Sequence, residues 1–299
     1  MLAVLIAPAS FLLTGSARQQ HARRAAVSMS EPNFYAVYHT FKPNTAEAWW
    51  TGLKDVDLSE MSKLQYESGI FNHLFLPSSA EGHILCLWEC QDTELSPKQF
   101  QEFIDGPESP AGDALYNKVY KVSPGAVLPA SAWPSMSTEA PTFIAQGPQA
   151  ASEDATGHFF WVHHTFRRKK AKRFFEAMAT LDYAAFEAAN AAKGVKNHCF
   201  MPTGPADKDP VFCVWETDKA MTASEFAAFI DGPDGPSPGT FNNVVYPVIA
   251  GGVAPPTAFP GSVEGSWLDE TVAKIEEMLP FKVADLAAKF EEAAKNIGA

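Results

Sequence analysis

The sequence predicts an α+β protein made of two tandem copies of one module, related by a pseudo-two-fold axis and followed by a C-terminal helical extension. The pentapeptide Phe-Ile-Asp-Gly-Pro occurs at Phe103–Pro107 and again at Phe229–Pro233. Other landmarks recur in the same order and at nearly the same spacing, which is the signature of a duplicated unit. The recurring segments are Tyr38-His39-Thr40 and His163-His164-Thr165, Asn72–Pro77 and Asn197–Pro202, and Cys86–Glu89 and Cys213–Glu216.

The composition is that of a globular protein with two cores. Of the 299 residues, 46% are hydrophobic and 12% aromatic, which is enough apolar material for two packed modules. The net charge of −12 argues against a general nucleic-acid binder, which would carry a basic surface. None of the four cysteines forms a Cys-x-x-Cys pair or a zinc spacing, so we expect no metal and no cofactor.

Residues 1–30 have the features of a targeting segment. They contain no Asp or Glu, and the apolar run 2–13 is too short to span a bilayer. Arg18, Arg23 and Arg24 follow it among Ser and Ala, which predicts a signal peptide joined to a transit peptide. The segment resembles the bipartite presequences of algae with red-type secondary plastids, which implies a location in the plastid stroma. An ordinary secretory signal is the alternative. No other run could span a bilayer, so we expect no membrane partner.

The first module is predicted over residues 31–130. Compact aromatic and β-branched runs indicate strands at Phe34–His39, Ile70–Leu76, His83–Trp88 and Tyr116–Val122. Asn44 with Glu47 predicts the start of a helix in the first connection. Ser96-Pro97 predicts the start of a second helix, and Gly106 is expected to end it with a positive φ.

The second module is predicted over residues 158–256, after a linker at 131–157. Its strands are predicted at Phe159–Phe166, Val195–Met201, Pro210–Glu216 and Asn243–Val248. Thr222 with Glu225 predicts a capping box on its last helix. Each module therefore reads β-α-β-β-α-β, a ferredoxin-like order, and such units often pair their sheets face to face.

These landmarks resemble the dimeric α/β-barrel superfamily. The segments that carry the resemblance are the His-Thr opening strand at Tyr38–Thr40, the third strand Cys86–Glu89 and the late strand Asn117–Tyr120. The resemblance covers about residues 33–129 and 158–255 and implies a fold, which by itself does not determine function.

Repeated polar residues are the candidates for chemistry. They are His39, His73, Glu89, His164, His198 and Glu216. In the superfamily that the chain resembles, His, Asn and Trp serve haem-degrading oxygenases, and His with Tyr serves polyketide cyclases; a His beside a carboxylate could act as a general base. Strand alternation puts Asn72 and His73 on opposite faces, so at most one of them lines a given cavity. Both copies keep the same polar residues at the same places. A structural role in each module explains this repetition better than catalysis does, so we predict no catalytic residue.

The basic run Arg167–Arg173 has no counterpart in the first module. It is interpreted either as a solvated helix face or as a patch that meets an acidic surface.

Residues 257–299 differ in kind from both modules. A Pro/Gly-rich spacer precedes two apolar stripes at helical spacing. Short helices of this kind need a surface to pack against, either on the chain's own modules or on a neighbouring copy. The candidate assembly contacts are Phe259, Trp267, Leu268, Ile275, Leu279, Phe281 and Phe290.

The combination of presequence, tandem modules and apolar tail resembles the pyrenoid shell proteins of diatoms, haptophytes and related algae. That resemblance implies self-assembly into a protein sheet around the Rubisco condensate of the plastid, supporting CO2 concentration. The implied partners are other copies of the chain and Rubisco, with no nucleic acid. The alternatives are a plastid α/β-barrel monooxygenase or cyclase acting on a small aromatic or tetrapyrrole ligand, and a non-catalytic ligand-binding barrel.

Overall fold

The computed structural model describes residues 32–133 and 157–259, apart from 54–55, 57, 107–108, 110, 234, 250–251 and 256. The predicted targeting segment, most of the linker and the two predicted tail helices lie outside the described residues. Within the described part of the chain, no helix is long and apolar enough to cross a membrane.

Each module forms one four-stranded sheet with helices on one face. The first contains β1 (Asn33–Phe41), α1 (Ala46–Leu53), α2 (Leu58–Glu67), β2 (Ile70–Pro77), β3 (Ile84–Cys90), α3 (Pro97–Ile104) and β4 (Leu115–Lys121). The second contains β5 (Gly157–Phe166), α4 (Ala171–Met178), α5 (Tyr183–Ala191), β6 (Val195–Pro202), β7 (Val211–Met221), α6 (Ala223–Asp231) and β8 (Phe241–Pro247). The strand orders are β2-β3-β1-β4 and β6-β7-β5-β8, with the paired strands antiparallel. The predicted tandem α+β, ferredoxin-like fold is confirmed.

The first connection of each module contains two helices where one was predicted. The missed helices, α2 and α5, have buried faces that are partly polar. Ser62 and Gln65 of α2 are buried, and so is Asn190 of α5. A polar buried face leaves no apolar periodicity in the sequence, so these helices could not be recognised from their pattern.

The predicted helix start at Asn44 is wrong. Helix α1 begins at Ala46, and Asn44 lies in the preceding turn with a left-handed φ of 63°. Asparagine tolerates this conformation better than most residues, which explains its place there. The Thr45 hydroxyl holds the turn by donating to the carbonyl oxygens of Lys42 and Ala114.

The second predicted helix of each module begins as expected. Ser96 and Thr222 both form complete capping boxes. The expectation of a positive φ at Gly106 is wrong, because Gly106 is not among the glycines with positive φ. Its counterpart in the second module, Gly232, has φ −72°. A Cβ on Gly232 would lie 2.7 Å from the Ala228 carbonyl oxygen, so this glycine serves close approach of the chain to the helix end.

The two sheets pack face to face and share one core. Leu74, Leu85 and Leu87 of the first sheet and Phe212 and Val214 of the second are buried in it. The opposite face of each sheet is covered by its own helices, around separate apolar clusters. The space between the sheets is filled with side chains, and two pockets lie instead between a sheet and its helices.

The chain that leaves each module crosses to the other one. After β4, residues 123–133 form the first exit segment, in which Val127 bonds through its backbone to Phe200 of β6. After β8, residues 248–258 form the second exit segment, in which Val253 bonds in the same way to Phe75 of β2. Each exit segment therefore covers the free edge of the other module's sheet, which joins the modules by backbone hydrogen bonds as well as by apolar packing.

Candidate functional site

A fully buried glutamate anchors the end of the first exit segment. The Glu89 side chain has no solvent exposure and accepts a hydrogen bond of 2.6 Å from His73 Nε2. It also accepts the Ser131 hydroxyl and, at 2.7 Å, the backbone N–H of Ala132. A buried carboxylate is tolerated only when it is paired and hydrogen-bonded in this way. Ser131 and Ala132, which the sequence places in the linker, thus bond directly to the first module.

The second module repeats this arrangement, and we call the two arrangements the glutamate clamps. Glu216 accepts bonds from His198 Nε2 at 2.8 Å, from the Thr257 hydroxyl and from the Ala258 N–H at 2.7 Å. Burial acts to raise the pKa of Glu216, but these hydrogen bonds outweigh it and lower the pKa below its ordinary value. The carboxylate therefore stays ionised and holds the exit segment in place.

A β-bulge aims each clamp histidine at its glutamate. The pairing of β2 with β3 shifts register between Asn72 and Leu74, and that of β6 with β7 shifts between Asn197 and Cys199. His73 and His198 are the extra residues. Bulges redirect side chains in this manner. The prediction that Asn72 and His73 face opposite sides of the sheet is confirmed, since Asn72 lines a pocket under the helices while His73 bonds Glu89.

The other repeated histidine begins a short chain of hydrogen bonds. His39 Nδ1 lies 2.7 Å from Asn117 Oδ1, and Asn117 Nδ2 donates to Asp105 Oδ1 at 2.9 Å. In the second module, His164 Nδ1 lies 2.6 Å from Asn243 Oδ1, and Asn243 Nδ2 donates to Asp231 Oδ1 at 2.7 Å. Both aspartates belong to the repeated Phe-Ile-Asp-Gly-Pro segment. Through the asparagine, each aspartate fixes the orientation of the histidine on the first strand of its module.

This chain determines which ring nitrogen carries the proton. A carboxylate only accepts, so the Asn243 amide must turn its N–H groups to Asp231 and its oxygen to His164. Nδ1 of His164 therefore donates, which leaves Nε2 as an unprotonated acceptor. Burial lowers the pKa of both His39 and His164 to about 4, so both rings are neutral at physiological pH.

Neutral buried histidines make the fold sensitive to acid. An unfolded histidine has a pKa of about 6.5, so below that value the unfolded chain binds more protons than the folded one. We expect the free energy of unfolding to fall as the pH drops from about 6.5 towards 4, by about 2 kcal/mol for each of His39 and His164 at pH 5. Urea unfolding at pH 7 and pH 5 measures this loss. The variant carrying His39→Gln and His164→Gln should lose less between the two pH values; an equal loss would contradict the assignment.

Each module has a pocket between its sheet and its helices. The pocket of the first module has a volume of about 60 Å³ and includes His39, whereas that of the second has about 170 Å³ and includes His164. Among the lining side chains, Phe174 of the second module stands where the first has the larger Trp49. Typical sites for drug-sized ligands and cofactors have about 300–1,000 Å³, so neither pocket accommodates a tetrapyrrole.

The six predicted pocket residues form two separate kinds of site. His73 with Glu89, and His198 with Glu216, belong to the glutamate clamps, while His39 and His164 line the pockets. The sequence reasoning missed the other side chains that bond these six, directly or through an asparagine. These are Asp105, Asn117, Ser131, Asp231, Asn243 and Thr257. The repetition of Asp105 and Asn117 in the second module was a signal that could have found them.

The described residues contain no group of three or more His, Cys, Asp or Glu side chains that could hold a metal ion. The cysteines are buried and free. Burial raises the pKa of the Cys86 and Cys199 thiols to about 12, so they behave as apolar core residues.

The exposed part of the basic run lies away from both kinds of site. Arg167, Arg168, Lys169 and Lys170 are exposed in the turn before α4. Of the predicted assembly contacts, Phe259 is half-buried. Trp267, Leu268, Ile275, Leu279, Phe281 and Phe290 lie outside the described residues.

The two outer strands β4 and β8 differ in how their free edges are protected. In the first module, Gln101 of α3 bonds the edge of β4, donating to the Asn117 carbonyl oxygen at 3.1 Å and accepting the Val119 N–H at 2.8 Å. Lys118 and Lys121 add charge to that strand. Charged side chains on an edge strand, and groups that cover its backbone, prevent the edge from pairing with a strand of another molecule.

The second module lacks each of these protections. Ala227 stands in the place of Gln101 and has no group that could bond the backbone of β8. Val244 replaces Lys118 and Pro247 replaces Lys121, so β8 carries no charged residue. Val244 is 48% exposed, among the few large apolar side chains at the surface of the described chain. Pro247 offers no N–H at one end of β8, but the rest of this uncharged edge strand is suited to pairing with another chain.

The model of one protein family, a domain of unknown function designated DUF8652, matches residues 34–130 and again residues 159–254. The chain belongs to the DUF8652 family. Both copies of the domain include the glutamate, the histidines and the asparagine described above. A search of curated proteins found no match to this DUF8652 protein.

Solved structures with a similar fold share little sequence with the DUF8652 chain. A chlorite dismutase from Candidatus Nitrospira defluvii is 11% identical, with 74% of this chain and 92% of that chain covered and a TM-score of 0.37. A heme-binding protein from Thermus thermophilus is 14% identical, with 73% and 91% covered and a TM-score of 0.38. An anthrone oxidase-like protein is 10% identical, with 80% and 99% covered and a TM-score of 0.39. At these identities the likeness concerns the fold alone.

Proposed function

We propose that this DUF8652 protein is a structural protein that self-assembles into a sheet-like shell around the Rubisco-containing pyrenoid of an algal plastid. The self-assembly rests on one observation above all, the unprotected edge of β8. Two copies that pair their β8 strands extend two four-stranded sheets into one, with new backbone hydrogen bonds and burial of Val244. The pyrenoid location rests on the resemblance of the presequence and of the overall organisation.

A sheet requires a second contact. Pairing of β8 with β8 about a two-fold axis closes after two copies, because both use the same surface. The apolar tail after residue 257 supplies a contact of a different kind, from one copy to a different surface on the next. A contact that joins copies in pairs, combined with a contact that joins each copy to a different surface on the next, lets the assembly grow without limit. A shell requires such growth.

The use made of the repeated polar residues also supports a structural role. In both modules the buried glutamate holds an exit segment, and the aspartate and asparagine hold a histidine in one orientation. These groups are occupied with one another in the folded chain. A demand for two rigid, equivalent building units accounts for their repetition.

The experiment is to purify the full chain and examine it by electron microscopy and sedimentation velocity. We expect extended sheets or large oligomers that form as the protein concentration rises. A chain that stays monomeric at high concentration would overturn the proposal. A tagged copy in an alga is expected to form a ring around the pyrenoid, whereas diffuse stromal signal would contradict that part.

A barrel that binds a small ligand or acts on it is the second candidate. The observation that favours it is the pocket of the second module, where the neutral His164 faces a cavity of about 170 Å³. A haem-dependent form of this candidate predicts a Soret band on addition of haem, with loss of the band in His164→Ala. The volume of the pocket disfavours that form.

A further inference from the structure

We propose that the pocket of the second module is a binding site for a small single-ring molecule that carries a hydroxyl group. The pocket lies between the β5–β8 sheet and helices α4 and α5. Nothing in the assembly proposal uses it, and the two stand or fall separately.

The first argument is the state of the polar atoms at this pocket. His164 is 4% exposed, and neither its Nε2 nor the Tyr183 hydroxyl has a hydrogen-bond partner among the described residues. Both residues line the cavity. Buried polar groups are almost always hydrogen-bonded, and each exception calls for an explanation. A ligand that bonds these atoms supplies it.

The orientation of His164 determines what the ligand must offer. Because Asn243 and Asp231 keep the proton on Nδ1, Nε2 presents a lone pair and accepts. The ligand must therefore donate a hydrogen at this point. The Tyr183 hydroxyl can donate or accept, so it adds a second polar contact of either kind.

The volume of the pocket and the side chains that line it restrict the size and shape of the rest of the ligand. Phe174, Phe186 and Phe200 contribute aromatic walls, which favour a flat apolar ring. An apolar protein cavity of about 150 Å³ is known to accept benzene, so a cavity of about 170 Å³ has room for one ring with a small substituent. A phenol combines this ring with the hydroxyl donor that His164 requires.

The first module contains a natural control for this site. Its pocket has the same histidine and asparagine, but only about 60 Å³ of space. Trp49 stands there in the place of Phe174. A pocket of that volume is too small for a benzene-sized ring, so we expect one bound phenol for each chain.

The test is titration of the full chain with 4-fluorophenol, followed by fluorine NMR and calorimetry, with fluorobenzene as the matched probe without a donor. We expect saturable binding of one 4-fluorophenol and binding of fluorobenzene that is at least about tenfold weaker. Phe174→Trp, which introduces the side chain that the first module already accommodates, should abolish binding. His164→Phe should remove the preference for the phenol, and His39→Phe should leave binding unchanged.

Two results would overturn the proposal. One is the absence of saturable binding of 4-fluorophenol at millimolar concentration. The other is equal binding of the two probes, or binding that Phe174→Trp does not alter. If His164→Phe fails to fold, the Phe174→Trp variant and the comparison of the two probes still decide the question.

Discussion

The double substitution Ala227→Gln with Val244→Lys is expected to abolish extended sheets and to leave only the smaller oligomers that the tail contact can form by itself. It transfers to β8 the two protections that β4 already has, the amide of Gln101 and the charge of Lys118. The new glutamine would bond the Asn243 carbonyl oxygen and the Val245 N–H, so these groups could no longer pair with another copy. The new lysine would place a charge at the centre of the pairing surface. Sedimentation velocity and electron microscopy measure the change.

The reverse exchange in the first module is the matched control. Gln101→Ala with Lys118→Val removes protection from β4 and leaves β8 as it is, so assembly should be retained or increased. Both double variants should unfold at similar urea concentrations, since the altered side chains lie on strand edges and helix surfaces. Sheets that persist with Ala227→Gln and Val244→Lys would show that β8 pairing is not the contact between copies.

Replacement of Glu216 by alanine is expected to lower the free energy of unfolding by about 3–5 kcal/mol. The side chain is 1% exposed and accepts three hydrogen bonds. Its removal leaves His198, the Thr257 hydroxyl and the Ala258 N–H without their acceptor in a place that water reaches poorly. The end of the second exit segment should then detach, with faster hydrogen exchange at the Ala258 amide. Urea unfolding and hydrogen exchange measure the two effects.

Glu225→Ala is the control for this prediction. Glu225 also accepts hydrogen bonds, but it is exposed at the start of α6, so its loss should lower the free energy of unfolding far less than the loss of Glu216. A double variant with leucine at His198 and Glu216 removes both polar partners and should recover part of the loss. Equal effects of Glu216→Ala and Glu225→Ala would mean that the glutamate clamp contributes little to stability.

Particular residues show how much of the candidate site could be predicted from the sequence. The repeats alone pointed to His39, His73 and Glu89, because a residue type that recurs at the same place in both copies stands out. The repetition of Asp105 and Asn117 in the second module marked them as candidates too, but not as partners of His39. They lie on different elements and form one chain of hydrogen bonds with His39 only when α3 packs on the sheet. Strand alternation predicted that Asn72 and His73 face opposite sides of the sheet, but the β-bulge that directs His73 towards Glu89 could not be recognised in the sequence.

The sequence by itself determined the duplication, the order of the strands and the second helix of each module with its capping box. Those features are encoded locally, in hydrophobic period, turn residues and capping side chains. Only the tertiary structure decided which strand edges are open and which pocket has room for a ligand. Both depend on residues far apart in the chain: Gln101 protects β4 only because α3 lies beside it, and Ala227 fails to protect β8 for the same geometric reason. Two modules with the same local sequence pattern thus differ in their strand edges and pockets through a few side chains, whose effect depends on what the fold places next to them.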